Sequence, residues 1–115
     1  MTPQAIFSKA YRGLRKQRFK RAVCPNTTRC VWRDPEGNRC AVGHLIPKKI
    51  LDKDQRTDKT VPGSAGRASM LVPGLSEHFA LLGALQNAHD DQRAGETMEE
   101  RLRAVAKRFG LKVPK

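Results

Sequence analysis

The strongest constraint on this chain lies in its first 33 residues: nine basic side chains (Lys9, Arg12, Arg15, Lys16, Arg18, Lys20, Arg21, Arg29 and Arg33) and no acidic residue before Asp34. Interleaved with them, Ile6, Phe7, Ala10, Tyr11 and Leu14 recur at the spacing of one helix face. Lys9, Arg12, Lys16 and Lys20 fall nearly opposite. Thr2 is suited to cap this helix and Pro3 to occupy its first position. The segment therefore predicts a helix over 2–20 with one buried face and one basic stripe. Gly13 weakens its middle by about 1 kcal/mol relative to alanine.

A chain of 115 residues supports one modest core, so residues 1–115 are expected to form a single domain. No apolar run approaches the roughly 20 residues needed to cross a bilayer. The N-terminus is polar and basic rather than signal-like. These features point to a soluble, cytoplasmic protein. Its formal net charge is +12, concentrated at the N-terminal end. Such a one-sided block favours polyanions or an acidic protein face.

Beyond Pro25 the pattern changes. Residues 29–33 and 39–42 are short and contain strand-forming side chains, and they flank Asp34-Pro35-Glu36-Gly37-Asn38, whose proline and glycine suit a turn. A β-hairpin is the natural reading, with Cys30 opposite either Cys40 or Ala41. A short helix over Leu45–Leu51 follows. Residues 52–74 are polar, contain Gly and Pro, and lack a clear period, which predicts a flexible crossing loop. Two helices close the chain. Ser76 is suited to cap the first, which carries His78 and His89. Thr97 and Glu100 form a capping-box pattern for the second, and Gly110 is its expected stop. The expected architecture is thus α+β: a small single domain with a basic N-terminal helix, a β-hairpin, a long loop and two C-terminal helices.

Three chemistries compete for the cysteine- and histidine-bearing middle. With three cysteines, full pairing within the chain is impossible, and reduced thiols are expected. Zinc could draw on Cys24, Cys30, Cys40 and His44, with His89 as a distant substitute, but their spacing lacks the tight knuckles of structural sites. Gly43-His44-Leu45-Ile46-Pro47 resembles the general-base strand of HNH-type nucleases. In this chain Gly43 stands where that family places a carboxylate, and residues 85–90 have the wrong internal spacing for its metal-binding helix. The third chemistry is nucleic-acid binding without catalysis, with Trp32 either stacking on bases or filling the core. No catalytic residue, metal or cofactor is assigned on this reading.

The pattern Cys30-x-Trp32-Arg33, Gly37-x-x-Cys40-Ala41-Val42-Gly43-x-Leu45-Ile46-Pro47, Leu85-Gln86-x-x-His89-Asp90 and a final Phe109-Gly110-Leu111 resembles a group of small tailed-phage and prophage proteins. The resemblance spans nearly the whole chain and transfers no activity. His44 stands where cysteine is common in that group, and Lys48 and Lys49 where acidic residues are common. What the resemblance implies is a phage context. The expected function is non-enzymatic: a small basic accessory protein that binds nucleic acid or a nucleoprotein complex through Lys9, Arg12, Arg15, Lys16, Lys20, Arg29, Arg33 and Arg39. The alternatives are an inhibitor docking on an acidic face of a host protein, such as a defence nuclease complex or polymerase, and an HNH-like metal-dependent nuclease.

Overall fold

The chain begins with helix α1, Pro3–Lys16, whose start is set by chemistry already visible in the sequence. Thr2 Oγ1 accepts from the Ala5 N–H at 3.1 Å, and Pro3 occupies the first turn. Its end is less ordinary. The Phe19 N–H reaches the Leu14 carbonyl at 2.7 Å and the Arg18 N–H reaches that of Arg15 at 2.9 Å, forming a Schellman stop. Arg18 and Phe19 both take left-handed φ, near 58° and 56°, where glycine would be unstrained. The Phe19 ring then meets Tyr11 edge-on at 5.7 Å, an attractive contact that sets against this strain.

In the computed structural model, residues 1–23, 31–53, 68–69, 71–91 and 95–115 are described. They form an all-α domain. After α1 come a 3-10 turn (Val42–Leu45) and the helices α2 (Lys48–Lys53), α3 (Phe79–Asp90) and α4 (Met98–Arg108), with Ala68, Ser69 and Leu71 also helical between α2 and α3. The expected α+β class is therefore wrong. Among the described residues the hairpin shrinks to one antiparallel bridge, Arg33 to Arg39. Its turn is real: the Asp34 N–H donates to Asn38 O at 2.8 Å, and Gly37 takes φ +89. The bridge sets Trp32 opposite Cys40, with the Cys40 N–H donating to the Trp32 carbonyl at 3.2 Å. Neither expected register of Cys30 matches this pairing, and Cys30 itself lies outside the described residues. Directly after Cys40 the chain winds into the 3-10 turn, so no second strand can extend.

The expected crossing loop, 52–74, lies largely outside the described residues; of its ends, Asp52 and Lys53 belong to α2 and the Val72 N–H donates to Ala68 O at 2.9 Å. At the C-terminal end the forecast was closer. Thr97 Oγ1 caps α4 by accepting from the Glu100 N–H, and Gly110 and Leu111 close it with bonds to Lys107 and Ala106. Ser76 does not cap α3; it opens a 3-10 turn, Ser76–His78, leading into it.

One core joins these elements. Ile6, Phe7, Ala10, Tyr11 and Leu14 of α1 pack with Leu82 and Leu85 of α3, Leu102 of α4, and Val31, Trp32, Val42 and Leu45 from the turn region. Trp32 is 3% exposed, so it fills the core and offers no stacking platform. The 13.0 Å radius of gyration matches the value of about 13 Å expected for one domain of this length. No helix among the described residues is long and apolar enough to cross a membrane.

Candidate nucleic-acid interface

Burying one face of α1 leaves the other in solvent. Lys9, Arg12, Arg15 and Lys16 of α1 are exposed, as is Lys20 just beyond the helix, which stops four residues short of the expected 2–20 span. No carboxylate of a described residue pairs with Lys9, Arg12, Lys16 or Lys20. Arg15 leans across the Tyr11 ring at 5.6 Å and approaches Pro114 O at 3.4 Å. From Lys9 to Lys16 the ridge rises about 10 Å along the helix.

The C-terminal tail widens this surface, a feature the sequence reading missed. Gln4 holds Lys112 by both its backbone groups, donating to the carbonyl at 2.8 Å and accepting from the N–H at 2.8 Å. Lys112, which is exposed, thereby lies beside α1. Nothing in its local sequence signals this docking, because it depends on a side chain 108 positions away.

Two of the expected contacts are different in kind. Arg33 donates to Asp52 at 2.8 Å, and Lys48 shares the same carboxylate at 2.8 Å. These hydrogen bonds, that of Lys48 foremost and that of Arg33 next, hold the Asp52 carboxyl below its usual range. Arg33 is thus held within the fold by a carboxylate it shares with Lys48, which offsets only part of their joint charge. Arg39 is half-buried opposite it and donates to Ile46 O at 3.3 Å. Burial, then the neighbouring Arg33 charge, lower its pKa. Arg29 lies outside the described residues.

Gln17 ties the ridge to the turn. Its Nε2 donates to the carbonyls of Arg39 (2.7 Å) and Lys20 (2.8 Å), while its Oε1 accepts from the Arg39 N–H (3.0 Å) and His44 Nε2 (2.9 Å). Every hydrogen-bonding position of the amide is used. His44 consequently carries its proton on Nε2, and its Nδ1 edge lies over Gly13, where an added Cβ would approach Nδ1 to 2.3 Å. Gly13, which looked like a weak point in α1, is the seat for this imidazole.

Burial, followed by the charge of Arg39, lowers the His44 pKa to about 4. Because the folded value lies below the unfolded one, near 6.5, the neutral ring stabilises the fold fully above pH 6.5. That contribution is lost as pH falls toward 4, by up to about 3 kcal/mol. Urea unfolding at pH 7.5 and pH 4.5 should show the loss, and His44→Gln should remove most of it; equal pH sensitivity in both proteins would contradict the assignment.

His89 is fully buried. Its Nε2 accepts from the Ala22 N–H at 3.1 Å, so Nδ1 carries the proton and donates to Asp90 Oδ1 at 2.7 Å. Gln86 bridges the same Asp90 oxygen and the Val42 N–H, at 3.1 and 3.2 Å. Far from being a freely solvated carboxylate, Asp90 orients a ring that ties α3 to the chain at Ala22. In this state the basic nitrogen of His89 is committed to Ala22, and that of His44 is Nδ1, which lies against Gly13 in α1. No cluster of three metal-ligating side chains occurs among the described residues. Cys40, His44 and His89 therefore do not assemble as ligands, while Cys24 and Cys30 lie outside those residues. Cys40 is buried, its sulfur accepting from the Gly43 N–H at 3.3 Å.

No protein-family model, curated protein or solved structure matches this chain.

Proposed function

We propose that this protein is a small non-enzymatic module that binds nucleic acid, free or within a nucleoprotein complex, in a bacterial cytoplasm during phage infection. The observation carrying this reading is the exposed row Lys9, Arg12, Lys16 and Lys20, without carboxylate partners among the described residues. Such a one-sided row sets up a positive surface potential that attracts an external polyanion. It positions a phosphate backbone without reading bases, since phosphate contacts carry no sequence information. With Trp32 buried, the reading relies on charge alone rather than on aromatic stacking.

The variant Arg12→Glu/Lys16→Glu/Lys20→Glu changes only exposed positions and should keep the fold. Three lost phosphate contacts should raise the dissociation constant for DNA or RNA by about a hundredfold or more at 0.1 M salt, measured by fluorescence anisotropy. Unchanged affinity would contradict the reading. So would a wild-type protein that retains neither nucleic acid but captures one acidic host protein from nuclease-treated lysate.

A further inference from the structure

At the C-terminal end of the ridge the surface sinks into a pocket of about 350 Å³, lined by Gly13, Lys16, Gln17, Gly37, Arg39 and His44. Its volume falls within the range of small-ligand sites. The polar groups on its wall are not equivalent. Gln17 has no capacity left, and the protonated nitrogen of His44 is committed to it. Lys16 and Arg39 remain. Lys16 has no ion-pair partner among the described residues, and Arg39 spends one guanidinium N–H on Ile46 O and meets no carboxylate there.

The charge balance around Arg39 is unfavourable in the empty pocket. Arg33 and Arg39 sit directly opposite each other across the single bridge, and Lys48 stands nearby on Asp52. Asp52, the carboxylate serving this group, is taken by Arg33 and Lys48. Like charges opposed in this way repel, and an anion between Arg39 and Lys16 would relieve the excess. Gly37 leaves part of the lining without a side chain. A neighbouring cleft of about 570 Å³ sets Lys20 and Arg21 against Asp34 and Glu36 on its wall, so its charges balance and it offers an anion less.

Building on the proposed polyanion surface, we infer that this pocket receives the terminal phosphate of a nucleic-acid strand whose backbone lies along α1. Two cations match a phosphomonoester, which carries about −1.5 to −2 charge at neutral pH, better than an internal phosphodiester with its single charge. The pocket also opens beside Lys16, where a strand crossing Lys9 and Arg12 reaches the end of α1. The terminal nucleotide packs against the His44 face of the wall, and Lys16 and Arg39 grip its phosphate.

The test compares one twelve-nucleotide strand with hydroxyl ends, with a 5′-phosphate and with a 3′-phosphate. One phosphorylated form should bind at least about tenfold more tightly than the hydroxyl form, in line with the strength of charge-assisted bonds. Lys16→Gln, at an exposed position, should reduce that ratio, and Arg39→Gln should bring it to unity. Lys9→Glu/Arg12→Glu should weaken every strand and leave the ratio intact. Equal affinity for all three strands would overturn the inference. Should no strand bind, the polyanion reading itself fails, and titration with inorganic phosphate decides the pocket separately: saturable NMR shifts of Gly13, Gly37 and His44 support it, and their absence overturns it.

Discussion

Gly43→Ala is expected to destabilise the protein by about 3 kcal/mol, a loss on the order of 10–20 °C in Tm for a domain of this size. A Cβ at Gly43 would lie 2.2 Å from the Trp32 carbonyl oxygen and 3.1 Å from its carbon. The obstacle is backbone, and that backbone is fixed: the same carbonyl accepts from the Cys40 N–H, while the Trp32 side chain is locked in the core. Neither rotamer change nor a flexible side chain can absorb the clash. Gly83→Ala provides the control. Gly83 lies inside α3 with nothing within 4 Å of the added carbon, so alanine there should stabilise by about 0.5–1 kcal/mol. Chemical denaturation of both variants checks the pair. A Gly43→Ala protein as stable as wild type would contradict the close approach of the turn.

Replacing His89 should be nearly as damaging, for a different reason. His89→Leu keeps most of the volume but leaves the Ala22 N–H buried without its acceptor, costing about 1–3 kcal/mol. His89→Ala adds a cavity among Leu85, Ala88 and their neighbours, bringing the total to about 3–5 kcal/mol. The folded fraction of either variant should bind nucleic acid as wild type does, since His89 is fully buried. A large change in affinity without a change in stability would assign the ring a direct functional role instead.

What the sequence revealed depended on how local the deciding interaction is. The start of α1 was legible because Thr2, Pro3 and the apolar period act within a few residues. The same holds for α4, whose Thr97 cap and Gly110 stop are short-range devices. The hairpin misled because its turn is also local and correct, whereas a strand needs a partner along its length. Val31, Trp32, Cys40 and Val42 carry β-forming character, yet they are buried by packing on α1 and α3 rather than by a ladder. Gly43 permits the close crossing that sends the chain into a 3-10 turn, and a lone glycine does not announce what will approach it.

The candidate site divides along the same line. Lys9, Arg12 and Lys16 were readable as one face because helical periodicity fixes their direction. Arg33 reads as equivalent in the sequence, but Asp52, 19 positions later, ties it into the fold. Gly13 and His44 define one contact between distant segments, so neither residue alone explains the other. Lys112 joined the surface through Gln4.

In the proposed function the basic residues of α1, with Lys20 beyond it, engage phosphates by charge. The most direct test is the affinity for a duplex of arbitrary sequence as salt is raised from 50 to 200 mM. Four contacts from Lys9, Arg12, Lys16 and Lys20 predict a log–log slope of about −3.5, or roughly a hundredfold loss over that interval. A slope near zero, or one unchanged when those four residues are replaced by glutamine, would contradict it.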